Sequence, residues 1–348
     1  MNPTFYTVSE DPTPAPASVT VEPKTVRHTF SGIGVALTVL TAVMILVAYG
    51  TAFALMAVSP DTYSAWWLNW VISILPLYLV ALPCAYLILR KIPVTPHNTD
   101  YVNAYNVLHE KPRFGFGHWM ILLVMSMGCM YLGNLVGSVI MQTLSELLDY
   151  DYANVLNEVI DKSPLWMTFL GTCICAPLGE ELIFRKLLLD RTRGYGEMPS
   201  ILLSGLLFGL FHGNLFQFFY AFLIGMILAY VYTRSGKYLW CVAMHATVNF
   251  LGSIAIPRLS ALLPTDPEAT MTAGQALLTL LLAAWIYGLI ITTVALVCSL
   301  WNKRKLSKGS MQTAGGKTFG HMLANPGMIA CVLIMLLLLI VNLIPVRG

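Results

Sequence analysis

The chain has 348 residues, 57% of them hydrophobic and 11% charged, with a net charge of +3 and a mean hydropathy of +0.71. So large an apolar fraction exceeds what a soluble core can bury, which excludes a water-soluble globular protein and leaves the excess to a bilayer. The modest positive charge suits basic loops lying against anionic lipid, and no nucleic-acid-binding motif is present.

In chain order, residues 1–28 come first, rich in Pro, Thr and Ser and without the short apolar core of a cleavable signal, and they predict a disordered cytoplasmic tail. Nine apolar runs follow, at 33–58, 66–89, 119–144, 165–189, 199–212, 215–233, 239–256, 276–301 and 328–344. Most approach or exceed the ~20 residues that a spanning helix requires. The fifth run, opening at Pro199, is short, so runs five and six are readable either as two crossings or as a re-entrant pair. The expected fold class is an all-α polytopic transmembrane helical bundle of about eight to nine spans. Its expected divisions are the tail at 1–28, spans one to three with their loops at 29–160, a core at 161–256 and the last spans at 257–348.

Lys and Arg are retained beside short cytoplasmic loops. All of the 20 except Lys162, Arg258 and Arg347 flank the same alternating set of loops, around 24–27, 90–113, 185–193, 234–237 and 303–317. That places the amino terminus in the cytoplasm of an integral, multi-pass membrane protein. The seven cysteines fall in or beside apolar runs without zinc-ligand spacing and read as small core residues. Glu146, Asp149, Asp151, Glu158 and Asp161 read as a solvated outer loop with no functional role.

Ionisable groups at bilayer depth cost at least about 2.5 kcal/mol each on insertion scales, so each needs a partner or a task. They concentrate in three segments: Ala176-Pro-Leu-Gly-Glu-Glu-Leu-Ile-Phe-Arg185 in span four, Phe208-Gly-Leu-Phe-His212 in span five and His245-Ala-Thr-Val-Asn249 in span seven. Glu181 and Arg185, four apart, suit a helical ion pair. Glu180 lies about 100° away around the helix with no local partner. A poorly solvated carboxylate of this kind is suited to act as a general base toward water. His245 and Asn249 share one helical face and can hold a developing oxyanion, or form an interhelical clasp. Gly205, Gly209 and Gly213 form a small-residue face beside His212, allowing a close neighbour. His212 can hydrogen-bond a water or serve packing alone. The three segments cooperate only if spans four, five and seven converge around a polar cavity, expected to open to the cytosol or sideways to lipid.

Glu-Glu-x-x-x-Arg at 180–185, Phe-x-x-x-His at 208–212 and His-x-x-x-Asn at 245–249, in that order, resemble the CPBP intramembrane protease family. That family includes type II CAAX prenyl endopeptidases, which remove a tripeptide after a prenylated cysteine, and bacterial members linked to bacteriocin processing or self-immunity. The resemblance covers about residues 165–250. It implies a peptidase with Glu180, His212, His245 and Asn249 catalytic and Glu181, Arg185 and Phe208 supporting. It further implies a peptide or protein substrate in or at the membrane, no nucleic-acid partner and, for a bacterial homologue, the plasma membrane. Zinc has been associated with the family, yet His-Glu-x-x-His is absent and a metal-free, glutamate-activated water is favoured. A noncatalytic immunity or binding protein on the same scaffold, and a transporter, are the rival readings.

Overall fold

The computed structural model of the chain describes residues 18–59, 61–62, 65–95, 114–152, 154–266, 269–300 and 306–344. Lys111, Arg113, Lys303, Arg304, Lys305, Arg347 and residues 1–17 of the expected tail lie outside them.

The fold is an all-α bundle. Seven of the nine apolar runs are helices long and apolar enough to cross a membrane: α1 (Pro23–Val58), α2 (Trp66–Leu89), α3 (Phe116–Leu148), α5 (Leu165–Tyr195), α7 (Leu215–Ser235), α8 (Tyr238–Ser260) and α9 (Ala273–Leu300). The fifth and ninth runs form shorter apolar helices, α6 (Glu197–Phe211) and α11 (Pro326–Val341). At 1.5 Å per residue α6 spans about 22 Å, less than a ~30 Å hydrocarbon core. Two short helices, α4 (Val155–Lys162) and α10 (Thr318–Leu323), complete the set.

Residues 18–28 depart from the expected tail. Val19–Val21 forms a strand, β1, that pairs in parallel with β2 (Met311–Thr313), and α1 starts at Pro23. Proline at the first helical position brings a preset φ and lacks an N–H that would otherwise be unpaired, so α1 begins ten residues before the apolar run at Ile33. The partner strand lies near the other end of the sequence, out of reach of local pattern.

The loops carrying most of the basic residues gather at one end of the bundle. Arg27 donates to His321, 294 residues away. Thr95 donates to the Asp190 carbonyl, Arg191 to those of Leu89 and Ile92, and Glu197 accepts from Arg234 and from the Ser307 amide. This clustering agrees with one shared face for those loops.

Small residues set the closest approaches. A Cβ on Gly34 of α1 would collide with the backbone at Gly327 and Met328, and one on Gly327 with the Ser31 carbonyl, so α1 and α11 touch backbone to backbone. Gly205 and Gly209 of α6 face Phe222, Met226 and Phe218 of α7 in the same manner. The small-residue face thus packs span five against span six, through a turn at Gly213 with φ of 65°.

Candidate active site

Helix α5 is not regularly α-helical. Phe169–Cys175 and Leu182–Leu189 are π-helical, and the α-helical stretch between them, Ala176–Glu181, ends on the two glutamates. π-helical turns inside longer helices commonly accompany functional sites, because the added residue reorients the side chains around it. Two tyrosines hold this stretch in place: Tyr78 of α2 donates to the Cys175 carbonyl at 3.2 Å, and Tyr238 of α8 to that of Leu178 at 2.5 Å. Gly179 has no Cβ, so the Tyr78 ring lies directly against the helix beside Glu180.

Glu181 and Arg185 form the expected pair, with Nε to Oε2 at 2.8 Å and both side chains fully buried. Arg185 also donates to Ser204 of α6 at 2.9 Å and lies over the Phe208 ring, 4.9 Å from its centroid. His245 Nδ1 is 3.0 Å from Glu181 Oε1. A carboxylate offers only acceptors, so the hydrogen in this contact belongs to the imidazole. The other ring nitrogen, Nε2, faces Glu180 Oε2 at 3.9 Å, within ion-pair range but beyond a direct hydrogen bond. Glu180 Oε2 is buried and has no hydrogen-bond partner among the described residues, while its side chain as a whole keeps 16% exposure.

His212 caps the end of α6. Its Nδ1 lies 2.8 Å from the Phe208 carbonyl, which can only accept, so Nδ1 carries the hydrogen and the neutral ring presents Nε2 as an acceptor. The Phe208 ring stands edge to face between the two imidazoles, 5.0 Å from His212 and 5.7 Å from His245. Asn249 donates one amide hydrogen to the Thr172 carbonyl of α5 at 2.8 Å, so its carboxamide ties α8 to α5 with the second N–H left over.

Spans four, five and seven therefore converge. Glu180, Glu181, Arg185 and His245 form one cluster, Phe208 joins it to His212, and Asn249 stands one helical turn from His245 against Thr172. His212 makes no direct hydrogen bond to Glu180. A cavity of about 320 Å³ reaches Asn249, but its walls come from α3, α4, α7 and α8, among them Asn134, Asn154, Asp161, Tyr220 and Ser253, and none comes from α5 or α6, the fourth and fifth of the expected spans. This cavity lies toward the loop at 154–161, away from the basic end, so that loop shares a wall with Asn249 although its charges alone suggested no role. Sequence reading also missed Ser204 and Thr172, whose contacts to Arg185 and Asn249 join separate helices and leave no periodic signal.

Among the described residues, no group of three or more His, Cys, Asp or Glu side chains is arranged to hold a metal ion.

Residues 162–251 match the family model of Rce1-like type II CAAX prenyl endopeptidases. No curated protein and no solved structure matches the chain. The matched segment contains all three motifs and runs from the end of α4 into α8.

Proposed function

We propose that this membrane protein, whose residues 162–251 carry an Rce1-like type II CAAX prenyl endopeptidase domain, hydrolyses a peptide bond of a membrane-held substrate with water activated by Glu180. The domain belongs to a membrane protease family, which implies a peptide substrate at the bilayer. The observation that carries the finer reading is the Glu180 carboxylate, buried at one oxygen, without a hydrogen bond there, and facing His245. A carboxylate so placed is short of donor partners, and a water donating to it supplies one.

In this mechanism Glu180 takes a proton from water while the His212 Nε2 lone pair orients that water. The oxygen attacks the scissile carbonyl carbon, and the carbonyl oxygen becomes an oxyanion that accepts from the second N–H of Asn249 and from Nε2–H of His245, a role that requires the His245 ring to carry hydrogens on both nitrogens. Collapse breaks the C–N bond, and the proton held by Glu180 passes to the leaving nitrogen, giving one carboxylate and one amine. Glu181 and Arg185 neutralise each other and hold the His245 ring through Nδ1. Cleavage of a farnesylated peptide by purified protein, with Glu180→Gln as control, tests the reading; undiminished cleavage by the variant overturns it.

A further inference from the structure

Two hydroxyls outside the motifs stand on the wall of the cavity that Asn249 shares, those of Ser253 and Tyr220, and of the two it is Tyr220 that packs against His212. Its place is set by close packing, since Gly133 of α3 lacks the Cβ that would collide with the Tyr220 backbone. Its ring centroid is 6.5 Å from that of His212.

The direction of the hydrogen bonds around it follows from the backbone. Asn214 caps α7, its Oδ1 accepting from the Gln217 amide N–H at 2.9 Å, which fixes the carboxamide orientation. Its Nδ2 therefore faces the other way, donating to the His212 carbonyl at 2.9 Å and to Gln217 Oε1 at 2.7 Å. With Oε1 so engaged, Gln217 turns Nε2 to Tyr220 and donates to the hydroxyl oxygen at 2.8 Å. The Tyr220 oxygen is thus an acceptor in this chain, and among the described residues no acceptor takes its hydrogen. A hydroxyl has one hydrogen to give, and this one is held ready at the wall beside Asn249.

We infer that Tyr220 is a further catalytic residue, its hydroxyl donating a hydrogen bond to the scissile carbonyl oxygen as it becomes the oxyanion, opposite the electron-pair attack by the Glu180-activated water. The O–H bond of Tyr220 stays intact throughout; only the hydrogen bond strengthens as charge develops. Gln217 and Asn214 are positioning residues that aim this hydroxyl and couple it to the turn carrying His212. The inference rests on the hydrolase reading above.

The test uses the full-length protein in detergent or liposomes, with an S-farnesyl-cysteine peptide bearing a three-residue C-terminal extension and the same peptide without the farnesyl group. Tyr220→Phe is expected to lower kcat on the cleaved peptide by about 10²–10³-fold, the usual loss for one oxyanion donor, with KM changed less than about threefold. Gln217→Ala, which keeps the hydroxyl but releases its aim, is expected to lower kcat by about tenfold with KM unchanged, and gives the answer should Tyr220→Phe not fold. If the parent protein cleaves and Glu180→Gln does not, yet Tyr220→Phe keeps kcat within about twofold, this inference alone is wrong. A loss expressed only in KM also overturns it, since that is substrate binding. If neither peptide is cleaved by the parent protein, or Glu180→Gln cleaves normally, the hydrolase reading fails and this inference falls with it.

Discussion

Among the described residues, carboxylate and guanidinium are buried together in the centre of the bundle and at its basic end, and the two places differ in what they leave over. At the basic end Glu197 meets Arg234 and the Ser307 amide, and Asp190 meets Lys186, Arg193 and the Tyr232 hydroxyl. Those partners come from α5, α6, α7 and the segment before β2, and the cluster ties the helix ends together. In the centre Glu181 and Arg185 are buried as completely, with Ser204 and His245 as further partners. Beside them, though, stands Glu180, whose buried oxygen has no hydrogen-bond donor among the described residues. Burial and pairing mark both places as structural; the unmatched acceptor is what distinguishes the centre.

The sharpest way to break this comparison is Glu180→Gln. It should lower peptide cleavage by about 10²–10⁴-fold, the range for loss of a general base, while thermal stability stays equal or rises because an uncompensated buried charge is gone. A large fall in stability would place Glu180 among the structural carboxylates. Next, Arg185→Ala and Glu197→Ala should each cost about 3–5 kcal/mol by stranding a buried charge, read as reduced folded yield and earlier thermal unfolding. They should differ in activity per folded molecule, which Arg185→Ala lowers and Glu197→Ala leaves near that of the parent. Matching activities for the two would erase the distinction between centre and end.

Asn249→Ala separates clasp from oxyanion donor. Losing the bond to the Thr172 carbonyl should cost about 1–3 kcal/mol, whereas losing an oxyanion donor should also cut kcat by about 10²–10³-fold. Stability loss with kcat intact would reduce Asn249 to a clasp. The smallest expected effect is that of a chelator: cleavage should persist at its initial rate after prolonged chelation, because the proposed mechanism activates water with the Glu180 carboxylate. Activity that disappears on chelation and returns with added zinc would overturn the metal-free mechanism.

How much of this was legible beforehand depended on whether the signal was local. Apolar runs fixed most helix positions, because a bilayer imposes length and composition on each span separately. Glu181 with Arg185, four apart on one helix, was likewise readable, and so was the small-residue face that packs α6 on α7. The bond between His245 and Glu181 was not, since His245 arrives from a different helix. The π-helical turns flanking Ala176–Glu181 were invisible too: composition says little about whether a helix takes four or five residues to its next hydrogen bond. Residues 18–28 were misread because a short Val-Thr-Val strand is stable only through β2, which the amino-terminal segment does not contain. Tyr220 was overlooked among the chain's 16 tyrosines, since only the orientation of Asn214 and Gln217 shows that its hydrogen is spare.

The backbone contact of α1 with α11 through Gly34 and Gly327, and the pairing of β1 with β2, bear on how the protein is made. Synthesis delivers the first helix to the bilayer long before the last, and contacts between sequence-distant segments form late. Throughout translation the glycine face of α1 and the open edge of β1 stand without their partners, and only completion of the chain covers both. A ribosome product ending before Met311 carries those two exposed surfaces permanently. That gives membrane surveillance proteases a physical mark by which an unfinished copy differs from a finished one.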